Sequence, residues 1–160
     1  MSTAPALAYS TDNCQVARTL EVIGETGTMI VLREVFNGVR RFADMQRHSG
    51  LSRQVLTNRL ATLVDHGILR RVPYQDEGAR VRHEYRLTPK GFDLYPLLAA
   101  LAQWGERYAA DPDGVPVELE HRGCGAVARA VLVCEDGHRI DDLRDVAPRP
   151  APAARPVQPD

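Results

Sequence analysis

Lysine is nearly missing from this chain: 19 of its 20 basic residues are arginine, and Lys90 stands alone. Aromatic residues reach only 6%, with a single tryptophan. Three cysteines, an odd number without dense spacing, exclude a disulfide scaffold and lead us to expect a reducing, cytoplasmic setting. No apolar run approaches the roughly 18 residues that a membrane-spanning helix requires. The first residues, MSTAPALAYSTDN, lack a basic start followed by an apolar stretch, so no secretory signal is expected. GxSxG, HExxH and a glycine-rich phosphate loop are all absent, and no enzyme is expected. Asp76-Glu77 and Asp141-Asp142 read as solvated loop acids.

What is present suits one soluble domain with short additions: 160 residues, 44% apolar and 26% charged. The net charge of −1 conceals a strong asymmetry. Residues 40–86 hold 10 arginines against 5 acids, a local +5, whereas residues 110–160 hold 6 against 10, a local −4. Phosphate binding depends on the local charge, so the middle of the chain is the part to inspect.

Residues 1–11 lack periodicity and predict a disordered arm. Val16, Leu20 and Ile23 then recur at helical spacing up to Gly24. A second, very apolar helix is predicted over about 28–36, and a shorter one from about Arg41 to Ser49 with Phe42 and Met45 inward. Ser52 is placed as an N-cap for a helix ending at Gly67, with Leu56, Leu60 and Leu63 as its single apolar stripe. After Gly67 the pattern becomes a β-hairpin, residues 68–74 and 83–87, around a polar turn at 75–78. Thr88-Pro89 then opens a long helix predicted to run to about Ala109. Its apolar surface calls for a partner, and a second copy of the chain is the simplest one. The main domain is therefore 12–109. Residues 110–146 predict a small β-rich extension, and 147–160, rich in proline and alanine, a disordered tail.

Helix, turn, capped helix and a hairpin with a basic loop is the order of a winged helix-turn-helix, an α+β (mainly α) fold. On the capped helix, Gln54, Asn58 and Ala61 lie opposite the leucine stripe, flanked by Thr57 and Thr62, with Arg53 in the first turn. Gln and Asn can pair bidentately with adenine, Arg with guanine, and Ala or Thr can touch a thymine methyl. A merely solvated face would more often carry Glu and Lys. Arg70, Arg71, Arg80 and Arg82 on the hairpin suit phosphate or minor-groove contact, or else protect an edge strand from aggregation. The expected DNA contacts are Arg40, Arg41, Ser52, Arg53, Gln54, Thr57, Asn58, Arg59, Arg71, Arg80 and Arg82. The competing class is a winged-helix protein-interaction module with a metal-binding tail.

Several segments follow a known pattern in order: Cys14-Gln15-Val16-Ala17, Ile23-Gly24, Leu32-Arg33-Glu34, Arg40-Arg41-Phe42, Leu56-Thr57-Asn58-Arg59-Leu60 and Gly67-Ile68-Leu69. Tyr85-Arg86-Leu87-Thr88-Pro89-Lys90-Gly91 and Leu101-Ala102-Gln103-Trp104-Gly105 continue it. Over residues 12–109 the chain resembles the MarR-like HxlR family. The resemblance implies a bacterial transcription regulator that binds palindromic double-stranded DNA as a homodimer. It also implies dimerisation through the terminal helices, with Val16, Leu20, Leu97, Leu101 and Trp104 as the expected interface. The activator or repressor role stays open.

Other residues bear on regulation. Cys14 falls on the cysteine that opens the family pattern; it fits either a redox or electrophile sensor or a buried, inert thiol. Gly27 stands where the family usually has tryptophan. The missing ring is expected either to be filled by collapse of neighbours or to leave a cavity bordered by Gly27, Met29, Ile30 and Trp104 for a small lipophilic effector. In the extension, His121, Cys124, Cys134 and His138 are candidate zinc ligands, against the alternative of a metal-free hairpin that buries Cys134. No other cofactor is expected.

Overall fold

The computed structural model describes residues 9–78 and 80–157. The chain divides into two compact units, residues 22–130 and residues 1–21 with 131–160.

The larger unit carries α2 (Thr26–Phe36), α3 (Phe42–Ser49), α4 (Arg53–Asp65), the strands β1 (Leu69–Tyr74) and β2 (Arg82–Leu87), α5 (Pro89–Phe92) and α6 (Tyr95–Tyr108). α1 (Gln15–Ile23) runs up to it and ends on the buried Ile23. The core is made by Val31, Leu32 and Val35 of α2, Met45 of α3, and Leu56, Leu60 and Leu63 of α4, closed by Ile68 and Leu69. Each of these side chains contributes about 1.5–3 kcal/mol by leaving water. The leucine stripe of α4 is thus its inner face, and the Ser52 Oγ accepts the Val55 N–H at 3.3 Å as the expected N-cap.

β1 and β2 pair antiparallel in a register that sets Arg70 against Arg86 and Arg71 against Tyr85. The hairpin arginines therefore do not all share a face: alternation puts Arg71 on the side of Leu69, Tyr85 and Leu87, and Arg70, Arg82 and Arg86 on the other.

The single helix predicted over 88–109 is broken. Thr88 caps α5 as expected, its Oγ1 accepting the Gly91 N–H at 3.1 Å. The chain then turns at Asp93-Leu94 before α6 begins. Pro96 supplies the reason, since it has no N–H for the Phe92 carbonyl and its ring crowds that carbonyl. Residues 115–130 pack back along α6. Gln103 bonds Ala130 through both ends of its amide, at 3.3 and 3.0 Å. Glu106 pairs with Arg129, whose hydrogen bond holds the Glu106 carboxyl below its ordinary range.

In the smaller unit, β3 (Leu132–Val133) and β4 (Arg139–Ile140) form a two-rung antiparallel hairpin, followed by a 3-10 turn at Leu143–Asp145. Residues 1–8 of the predicted arm and 158–160 of the predicted tail lie outside the described residues. Where the sequence predicted unstructured ends, Tyr9 bridges Pro156, and Ser10 donates its N–H to Arg155 O at 2.8 Å. Among the described residues no helix is long and apolar enough to cross a membrane.

Two glycines give opposite predictions. A Cβ on the buried Gly91 would collide with the Ile68 carbonyl oxygen and press Leu87 Cδ2 at 3.0 Å. Gly91→Ala should therefore destabilise the protein by about 1–3 kcal/mol, read from denaturant midpoints. A Cβ on Gly27 would meet Val55 and Arg59 at 3.5 and 3.6 Å, ordinary contact distances. Gly27→Ala should stabilise by about 0.4–1 kcal/mol. A lower midpoint for Gly27→Ala would contradict the packing between α2 and α4.

Candidate nucleic-acid interface

Because Leu56, Leu60 and Leu63 point inward, α4 presents Arg53, Gln54, Thr57 and Asn58 to solvent. Gln54 Nε2 donates to Asn58 Oδ1 at 2.9 Å, so the two amides stand ordered side by side one turn apart. The hydroxyls of Thr57 and Thr62 bond back to the Arg53 and Asn58 carbonyls at 2.8 and 3.1 Å. That leaves their methyl groups as the atoms available to a partner. The Arg53 guanidinium lies 5.4 Å from the Phe42 ring centroid, which steadies it over the start of α3. Ser52 is spent on the cap, and its backbone remains at the helix N-terminus.

The expected arginines separate into two groups. Arg59 is structural: it pairs with Glu25 at 2.9 Å and its stem packs against Gly27. Arg41 lies 4.2 Å over the Tyr74 ring and pairs with Asp76 at 3.1 Å, so it ties the entry to α3 to the hairpin. The backbone repeats that tie, with the Tyr85 N–H donating to Arg40 O at 2.9 Å. Arg40, Arg71, Arg80 and Arg82 are exposed and have no acidic partner among the described residues. Unpaired guanidinium groups beside an ordered polar helix face can meet phosphates while the helix meets base edges.

The other expected sites are placed as follows. Val16 and Leu20 on α1 and Leu97, Leu101 and Trp104 on α6 are all exposed; Trp104 is 61% exposed and its ring lies against Tyr108, at 5.4 Å between ring centroids. Cys14 is half-buried, and its carbonyl accepts the Arg18 N–H as α1 begins. Of the residues expected to border a cavity, Gly27 faces Val55 and Arg59 of α4, and Met29 and Ile30 lie elsewhere on α2. Those two instead line a groove of about 720 Å³ shared with Leu98, Leu101 and Val117. One edge of this groove carries a charged group that the sequence did not reveal. Glu34, 3% exposed, accepts from Arg33 Nε at 2.9 Å and lies 3.2 Å from His48 Nδ1. The spacing of 14 residues gave no local signal of that pair.

The four candidate metal ligands fall in different units. Within the larger unit, His121 Nδ1 and Cys124 Sγ are 3.1 Å apart on a tight turn. Within the smaller one, Cys134 and His138 come together with Asp136, which the sequence reading overlooked.

Comparison with known proteins agrees with this geometry. An HTH-type transcriptional regulator of Mycobacterium tuberculosis is 41% identical over 146 residues, 91% of each chain. A relative of the same description from Bacillus subtilis is 32% identical over 62% of this chain and 80% of its own. A solved structure described as a candidate transcription factor, PA1607, is similar with a TM-score of 0.73 and 38% identity, covering 86% of this chain and 95% of that one. The redox regulator HypR in its oxidized form is similar at a TM-score of 0.54 and 29% identity, over 61% of this chain and all of that one. The model of the HxlR-like helix-turn-helix matches residues 22–113, more than half of the sequence. The chain belongs to the HxlR family of helix-turn-helix transcriptional regulators.

Proposed function

We propose that this regulator binds a palindromic double-stranded DNA operator as a homodimer, with one α4 in the major groove of each half-site. The observation that carries this reading is the outward face of α4, where Gln54 and Asn58 form an ordered amide pair on the same helix as the exposed first-turn Arg53. A helix in this setting reads bases with its exposed amides and its first-turn Arg53, while Arg71, Arg80 and Arg82 on the hairpin meet the backbone. Arg59 and Arg41 serve the interface from behind, by fixing α4 and the hairpin. The two half-sites then lie about one helical turn of DNA apart.

The exposed apolar residues of α6, with Val16 and Leu20 of α1, are the proposed contact between copies. Leu97, Leu101, Trp104 and Tyr108 leave a large apolar stripe in water, which a second chain covers. A small lipophilic molecule in the groove between α2 and α6 would act on DNA affinity by favouring one arrangement of those helices over another. Oxidation at Cys14 is a second route, supported by the similarity to a protein described as a redox regulator.

Two measurements test this. On DNA from the promoter upstream of its own gene, affinity should fall by about 10³-fold or more between about 50 and 200 mM salt. Asn58→Ala should narrow the preference for that DNA over unrelated sequence, whereas Arg82→Ala should weaken both alike and lower the salt slope by about one. Failure to bind that DNA even at low salt would instead favour an acidic protein partner. Leu101→Glu should shift the sedimentation of the purified protein from dimer to monomer; an unchanged dimer would place the interface elsewhere.

A further inference from the structure

The hairpin β3–β4 has almost nothing to hold it together. It has two ladder rungs, Leu132↔Ile140 and Val133↔Arg139, and its apolar strand residues Leu132 and Val133 are 50% and 54% exposed. A two-stranded ribbon of this kind is marginal in water without a packed face, a cross-link or a metal. Yet its turn is well defined. The Cys134 N–H donates to His138 O at 3.0 Å, and the Gly137 N–H donates back to Cys134 O at 2.9 Å. Gly137 supplies the positive φ, +82°, that closes it.

That turn brings a thiol, a carboxylate and an imidazole together. The ligand atoms of Cys134, Asp136 and His138 all lie within 4.8 Å of one another. Tetrahedral zinc, with bonds of about 2.0–2.3 Å, needs ligand atoms about 3.3–3.8 Å apart. All three residues project from one short turn, so side-chain rotation is the movement that would close this difference. The charges agree as well. Arg139 and Arg144 are occupied by Asp141 and Asp142, whereas Glu135 and Asp136 have no cationic partner among the described residues. The turn itself is thus left with uncompensated negative charge.

We propose that Cys134, Asp136 and His138 form a binding site for a single zinc-like divalent cation, which cross-links the hairpin at its turn. Binding displaces the Cys134 thiol proton to solvent and leaves a thiolate, a carboxylate and a neutral imidazole on the metal. With three protein ligands, the fourth position is open to water.

Cobalt(II) serves as the probe on the full-length, metal-stripped protein, since a cobalt–thiolate bond gives a near-ultraviolet charge-transfer band. One equivalent should produce the band, and zinc should displace it. Cys134→Ser should abolish it, and Asp136→Asn and His138→Gln should each weaken cobalt affinity by about tenfold or more. Cys124→Ser should leave both band and affinity unchanged, because His121 and Cys124 belong to a different turn. Absence of the band in the native chain would overturn the proposal. So would its persistence in Cys134→Ser, or its loss in Cys124→Ser, which would assign the thiolate to the other turn.

Discussion

The inward packing of Leu56, Leu60 and Leu63 is the constraint on which the interface depends. A helix has one set of faces, and burying these three against Val31, Leu32 and Val35 of α2 decides what is left for solvent. It turns Gln54, Thr57 and Asn58 outward without any of them making a contact that forces it there. The same packing brings α2 close enough for Arg59 to lie over Gly27 and reach Glu25. One cation is thereby withdrawn from the surface to brace the helix. The free arginines that remain sit on the hairpin and at the entry to α3, where Arg41 stacks on Tyr74. In the proposed complex, apolar burial sets the orientation of the reading face, and electrostatics supplies the surrounding attraction for phosphate.

A second link runs through α2. Its inner side holds α4, while Met29, Ile30 and the buried Glu34 border the groove shared with α6. Glu34 is satisfied by Arg33 and His48, so this buried carboxylate ties α2 to α3 through two half-exposed partners. Removing its partners would leave a buried charge unpaired, a costly change. Movement of α6 against α2 is therefore felt by the element that carries the reading helix. In the proposed function, that contact is the route by which an effector in this groove would reach DNA affinity.

Much of this was legible in the sequence, and the reasons are local. Ser52 as a cap, the leucine stripe, the strand alternation after Gly67 and the Thr88-Pro89 helix start each depend on residues within a few positions of one another. The break between α5 and α6 was also written there, in Pro96, but the long apolar run beyond it suggested one continuous helix. What sequence could not reveal came from residues far apart. The Arg59–Glu25 pair spans 34 positions and the Arg41–Asp76 pair 35, and each removes an expected DNA contact from the free set. The direction Gly27 faces depends on how α2 packs on α4, which the residues around it in the sequence do not state. Cysteine and histidine spacing does not single out Asp136, which the turn brings beside Cys134 and His138.

The account stands on α4 occupying the major groove in two half-sites. Dimethyl sulfate methylates guanine N7, an atom on the floor of that groove, and so reports its occupancy directly. With promoter DNA and the purified protein, guanines should be protected in two clusters about one helical turn apart, and the intervening minor-groove adenines should not change in step. A complex that retards the DNA while every guanine N7 stays fully reactive would contradict the account.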